Sequence, residues 1–155
     1  MRPILFRGFY ETPSGDNTIY VNGKPRVGEW AYGLLCNDYI SGELFIHHKI
    51  SDTIHPKYVV RMIIPETVGQ YTGLDDINGV KIFEGDRITR INTYRKRETG
   101  IARFNSGCFC VERLGDHNEW EYLDCWEQFF KNCKVTGTIF DEELKEIKKA
   151  INDRR

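Results

Sequence analysis

Cysteine is the first residue type here that could do chemistry. Cys108 and Cys110 stand two apart, and Cys125, Cys133 and His117 follow within reach of a folded sheet. Such a set could enclose a tetrahedral zinc ion, but structural zinc sites take their ligands in pairs separated by two to four residues on tight turns. No Cys-x-x-Cys is present, and Phe109 between the first pair belongs to an ordinary strand from which both thiols leave the same face. Buried thiols are the simpler account, and no metal is expected. His47 and His48 are adjacent, with His55 nearby. On a strand, neighbours point to opposite faces and do not readily share an ion. A surface histidine beside a core one explains the pair. Nothing positions a base or an oxyanion hole for a cysteine–histidine nucleophile.

Carboxylates are the next candidates. Asp75-Asp76 and Glu84-x-Asp86 flank two turns and could hold a hard cation or serve as an acid–base pair. At hairpin tips, Asp and Glu more often stabilise the turn itself. Gly69, Gly73, Gly79 and Gly85 open no helix followed by Lys and Ser or Thr, so they are turn glycines and not a phosphate loop. The chain is therefore expected to have no catalytic residue and no cofactor, and not to be an enzyme.

Basic side chains give the most substantial hint of binding. Arg87, Arg90, Arg95, Lys96, Arg97 and Arg103 are interleaved with Tyr94 and Phe104. Positive charge with aromatics for stacking is what single-stranded nucleic acid needs. Against this, Glu98 sits inside the patch, and an Arg-Lys-Arg tip is commonly a solvated edge that discourages aggregation. A second hint is the thin apolar stripe of Leu144, Ile147 and Ile151 on a short helix opened by Asp141. Few core residues make such a helix marginal alone, so it caps the sheet or docks on another copy.

These residues need a frame, and residues 65–91 have the most organised grammar for one. Asn78-Gly79 sits between Ile77 and Val80, the strongest short signal for a type I′ hairpin. Residues 67–72 read as the strand before it, and Glu84-Gly85-Asp86 as a second turn before the extended pattern resumes. Earlier in the chain, 4–10, 30–36, 43–48 and 58–64 read as strands; 11–28 reads as a long loop in which only 18–21 looks extended, with Asn22-Gly23 as a turn signal and a hairpin as one form of its tip. Later, 100–104 and 108–114 flank Asn105-Ser106-Gly107, and 134–140 is the closing strand. Leu123, Trp126, Phe129 and Phe130 fall at helical spacing within 120–132.

The stretch Pro-Glu-Thr-Val-Gly-Gln-Tyr-Thr-Gly-Leu-x-Asp-x-Asn-Gly-x-x-Ile-Phe-Glu-Gly-Asp at 65–86 resembles the signature of the YopX family of phage and prophage proteins. Phe6-Arg7-Gly8, Gly28-Glu29-Trp30-x-Tyr32-Gly33 and Val135-x-Gly137-x-Ile139-Phe140 resemble that family's other blocks, in order. The resemblance implies a mainly β protein whose later part is an SH3-like small barrel, and it implies no activity. Combined with the local signals, it predicts antiparallel strands throughout. An N-terminal β segment over 1–64 packs on the rest, the barrel spans 65–141, and a short C-terminal helix spans 142–155.

With 22 basic and 23 acidic residues, no global field steers the chain to nucleic acid or anionic membrane. No stretch is long enough and apolar enough to span a bilayer, and Ile4-Leu5-Phe6 is too short for a signal-peptide core. Five scattered cysteines fit reduced thiols. The expectation is a protein of the host cytoplasm that acts as a non-catalytic interaction module and a homo-oligomer. A host or phage protein is a possible partner, and single-stranded nucleic acid is the alternative one.

Overall fold

The computed structural model describes residues 4–51, 54, 57–91, 94–114, 120–121 and 132–141, with backbone alone at Arg113, Trp120 and Glu121. The chain divides into two compact units, Met1–Tyr71 and Thr72–Arg155. All regular structure in the described residues is antiparallel β, apart from one 3-10 turn at Pro65–Thr67. The mainly β expectation holds.

The first unit is built on β1 (Phe6–Glu11), β2 (Asn17–Val21), β3 (Lys24–Asn37), β4 (Leu44–Lys49) and β5 (Tyr58–Met62). The order is β5-β4-β3-β1, and the long β3 also carries β2. Within 11–28, expected as a long loop with a hairpin as one form of its tip, the β2–β3 hairpin takes up most of the stretch. Its corner is Asn22-Gly23, with both φ positive (50° and 81°), the geometry of a two-residue turn between Val21 and Lys24. Ala31, Ile46 and Ile63 form the core, with Phe6, Leu35, Leu44 and Val68 packed on it. Gly33 meets the carbonyl of His47 so closely that a Cβ there has no room.

Thr67 and Val68, expected to open the strand that follows, are not strand: Thr67 ends the 3-10 turn that begins at Pro65. Pro65 lacks the amide a ladder needs, so the chain turns. Thr67 then pins the turn to β1: its buried Oγ1 accepts the Phe9 amide at 2.8 Å and donates to the Ile64 carbonyl at 2.6 Å. The chain therefore stays with the first unit past Pro65, and the division falls inside β6 (Gly69–Asp75), whose start pairs with β1.

The second unit holds the far end of β6, β7 (Lys81–Phe83), β8 (Asp86–Ile91), β9 (Arg97–Asn105), β10 (Cys108–Arg113), β11 (Trp120–Glu121) and β12 (Cys133–Thr138). Five of these form a sheet in the order β11-β10-β9-β8-β12. Ile82, Ile88, Ala102, Cys110, Val111 and Cys133 are its core. The sheet is open. Among the described residues no ladder joins β11 to β12, so the expected SH3-like barrel is not a closed hydrogen-bonded ring. The outer side of β12 is met by the loop after β6, where the Ile77 amide donates to the Cys133 carbonyl at 3.0 Å. A loop cannot carry a ladder onward, which is why the sheet ends there. Trp120 and Glu121, expected to open a helical stretch, are strand. The rest of that stretch and the expected C-terminal helix lie outside the described residues.

Candidate functional site

The hairpin of β8 and β9 places the basic residues. Arg90 lies opposite Glu98 in the register, and the guanidinium Nε donates to the carboxylate at 2.7 Å with both side chains about one-fifth exposed. Arg103 on β9 makes the same bond to Glu112 on β10 at 2.9 Å. Arg87 donates through Nη2 to the Thr136 carbonyl at 2.8 Å and stands 3.9 Å from Asp141. This approach depends on Gly137 (φ 152°), where a Cβ would collide with the Asp141 carboxylate and the Arg87 guanidinium. Three of the six basic candidates are thus committed to carboxylates or a carbonyl inside the fold. Tyr94, Arg95, Lys96 and Arg97 are all exposed and share the hairpin tip, with Arg95 at φ 59°. Phe104 is half-exposed and packs edge-to-face on Phe109, with centroids 5.0 Å apart. The structure therefore brings Tyr94, Arg95, Lys96 and Arg97 together at one tip and disperses Arg87, Arg90 and Arg103.

The carboxylates of 65–86 are turned inward. Asp76 is buried, and its Oδ1 accepts the amides of Asn78 at 2.7 Å and Val80 at 3.0 Å. Its Oδ2 accepts the amide of Val135 on β12 at 3.0 Å. Burial alone would raise its pKa, but the Val135, Val80 and Asn78 amides and the nearby Lys134 charge outweigh it and hold the carboxyl below its ordinary range. This corrects the expected turn type. Asn78 keeps a negative φ and only Gly79 is left-handed (φ 77°), so Asn78-Gly79 is not a type I′ pair and the side chain of Asp76 organises the loop instead. Asp86, almost fully buried, accepts the Phe83 amide at 2.7 Å across the Glu84-Gly85 turn. Thr72 donates its hydroxyl to the Ile82 carbonyl at 2.9 Å. Sequence reasoning treated these residues as generic turn carboxylates and strand formers. The signal for Asp76 was its place two residues before Asn-Gly, where an Asx turn can form.

The thiols are placed for packing. Cys110 and Cys133 are buried, Cys36 and Cys108 are half-buried, and none of these four is in a disulfide. Burial, with Asp76 adding to it, pushes the Cys133 thiol up to about 12. Burial also raises Cys110, with Cys108 and Glu112 reinforcing it and Arg103 opposing. Neither is a thiolate at neutral pH, and the thiolate is the nucleophile and the ligand. Among the described residues no three His, Cys, Asp or Glu side chains gather where one ion could bind. Cys125, His117 and His55 lie outside the described residues, as do Leu144, Ile147 and Ile151. His47 is exposed, whereas the ring of His48 accepts the Tyr32 amide at 3.0 Å through Nδ1.

A cleft of about 340 Å³ in the first unit, not anticipated from sequence, is lined by Arg26, Glu11, Glu43 and the apolar Leu44, Met62 and Ile63 among others. Arg26 and Glu11 pair with each other at 2.9 Å across it. Arg7, from the first of the four blocks, lies 4.7 Å over the ring of Trp30 from the second, in a cation–π contact between β1 and β3. No helix among the described residues is long and apolar enough to cross a membrane.

The model of the family described as YopX protein matches residues 32–144 of the chain. That span contains the 65–86 block and the Val135-x-Gly137 block, while Phe6-Arg7-Gly8 and Gly28-Glu29-Trp30 lie ahead of it. No curated protein matches the chain.

Proposed function

The chain belongs to the YopX protein family, a phage-type family, and we propose that it is a non-catalytic interaction and assembly module that works as a homo-oligomer. One observation carries this reading. The polar side chains of the signature stretch, Thr67, Thr72, Asp76 and Asp86, are buried and spend their hydrogen bonds on the protein's own backbone. A catalytic or small-molecule site needs convergent polar groups that remain available to a substrate. A stretch used in this way is scaffold, so function moves to surfaces. Light scattering coupled to size exclusion tests it. The expected mass is a multiple of one chain, and a single-chain mass at all working concentrations would sink the reading.

The same reading takes the second unit as an SH3-like barrel closed on one side by a loop. Its support is the pair of contacts from Asp76 and Ile77 to β12. An experimental structure leaving that side of β12 bare would remove it. Reduced thiols and host-cytoplasmic residence go with this reading, and fractionation of expressing cells is the check.

Single-stranded nucleic acid is the second reading. The observation favouring it is the exposed tip of Tyr94, Arg95, Lys96 and Arg97. An aromatic flanked by three cations on one corner can stack a base and meet a phosphate. Binding through so few charges should be weak and should fade steeply with salt. A labelled oligonucleotide whose anisotropy does not change at low salt would eliminate it.

A further inference from the structure

In the first unit, β4, β5 and the end of β3 beside them turn one face to the core and leave the other largely exposed; towards β1 the same side of β3 is covered, with Phe9 opposite Trp30 and fully buried. Ala31 and Ile46 on the inner side are fully buried. On the outer side the register sets Leu34 opposite His47 and His47 opposite Val60, then Cys36 opposite Phe45 and Phe45 opposite Met62. Lys49 lies opposite Tyr58, and strand alternation adds Tyr32 to this side. The exposure is large: Leu34 63%, Tyr58 58%, Met62 57%, Val60 52% and Tyr32 41%. The solvated face of an antiparallel sheet ordinarily alternates to polar residues. Along these cross-strand rows Lys49 is the one formally charged side chain, and Arg7 of β1, opposite Tyr32, is buried against Trp30.

We infer that two copies of this chain stack sheet on sheet through this face, about a twofold axis. The inference rests on the homo-oligomer reading and names the surface that serves it. The area fits a second copy. At these exposures the five side chains present on the order of 500 Å² per copy, so pairing removes roughly 1,000 Å² from water, the threshold for a specific interface. The charge fits as well. The rows themselves carry one lysine and no carboxylate, the charged residues of the cleft standing only at the Met62 edge, so the face offers little like-charge repulsion to its own copy. An isologous contact asks only that the patch be complementary to itself, and flat apolar β faces meet that condition at the ~10 Å spacing of stacked sheets. A patch of ~500 Å² is about as large as the largest apolar patch of a typical monomer, and such a patch is often the functional surface.

Sedimentation of the full chain tests the inference against three variants. Leu34→Glu with Val60→Glu places two carboxylates per copy in the contact and should weaken association by about 100-fold or more, giving a single-chain mass where the parent is paired. Ile77→Lys, at an exposed apolar residue off this face, should keep the parent mass. Leu34→Thr with Val60→Thr, which keeps strand propensity, reads the same surface if the glutamate pair does not fold. A folded glutamate or threonine pair with the parent's mass would overturn the surface while leaving self-association intact. A parent that sediments as one chain would instead defeat the homo-oligomer reading itself, and the surface with it.

Discussion

Three amides converge on the Asp76 carboxylate, two from its own loop and one from β12 fifty-nine positions away. A buried carboxylate that accepts several N–H bonds is stabilising only while ionised. Asp76→Ala leaves the Val135 amide without its acceptor and should cost about 3 kcal/mol. Asp76→Asn keeps one acceptor oxygen and should cost less. The folded-state pKa is depressed, so the contribution is complete above pH ~5 and is lost as the pH falls through the folded-state value. Urea melts at neutral and acid pH check both points: the parent should lose stability on acidification, and Asp76→Ala should lose less of it. The thiols give a second prediction at this scale. Cys36 and Cys108, half-buried, should react with a disulfide reagent well before Cys110 and Cys133, which should react only as the fold opens. Counting absorbance released per chain over time would show it, and early modification of Cys133 would contradict the burial that raises its pKa.

Turns and crossing points carry the elements. Asn22-Gly23 and Ser106-Gly107 are two-residue corners with both φ positive, whereas at Asn78-Gly79 only the glycine is left-handed. Asn22→Ala should therefore cost about 1 kcal/mol through left-handed strain, and Asn78→Ala should cost little, a contrast that thermal melts resolve. At Gly33 an added methyl meets the His47 carbonyl. Gly33→Ala should force β3 from β4 and cost more than ~2 kcal/mol. These elements were legible in the sequence to very different degrees. The hairpin of β9 and β10 stood out because a turn triplet sat between two alternating runs, and β7 and β8 because Glu-Gly-Asp punctuated them. The Asn-Gly at 78–79 misled on turn type, since the dipeptide signals a corner while the preceding Asp76 sets its geometry. Thr67 misled because strand propensity is judged locally, and its bond to Phe9 joins positions 58 apart.

At the scale of the whole molecule, the charge balance and the ion pairs along β8, β9 and β10 leave no broad basic field. The sequence showed the arginines but not their partners, because Glu98 and Glu112 become neighbours only through the strand register. The uncovered face of β3, β4 and β5 was equally hidden. Residues 58–62 belong to one largely apolar run, and only the fold leaves Tyr58, Val60 and Met62 exposed while half-burying Val59 and Arg61. If that face is the one that matters, association is driven by apolar burial and should resist salt, whereas binding through the hairpin tip should be dispersed by it. Sedimentation equilibrium of the parent chain over a wide concentration range, at low and at high salt, separates these directly. The expected mass rises from one chain to a fixed multiple, with the same midpoint or a lower one at high salt. A single-chain mass throughout, or an assembly that falls apart as salt is added, would contradict it.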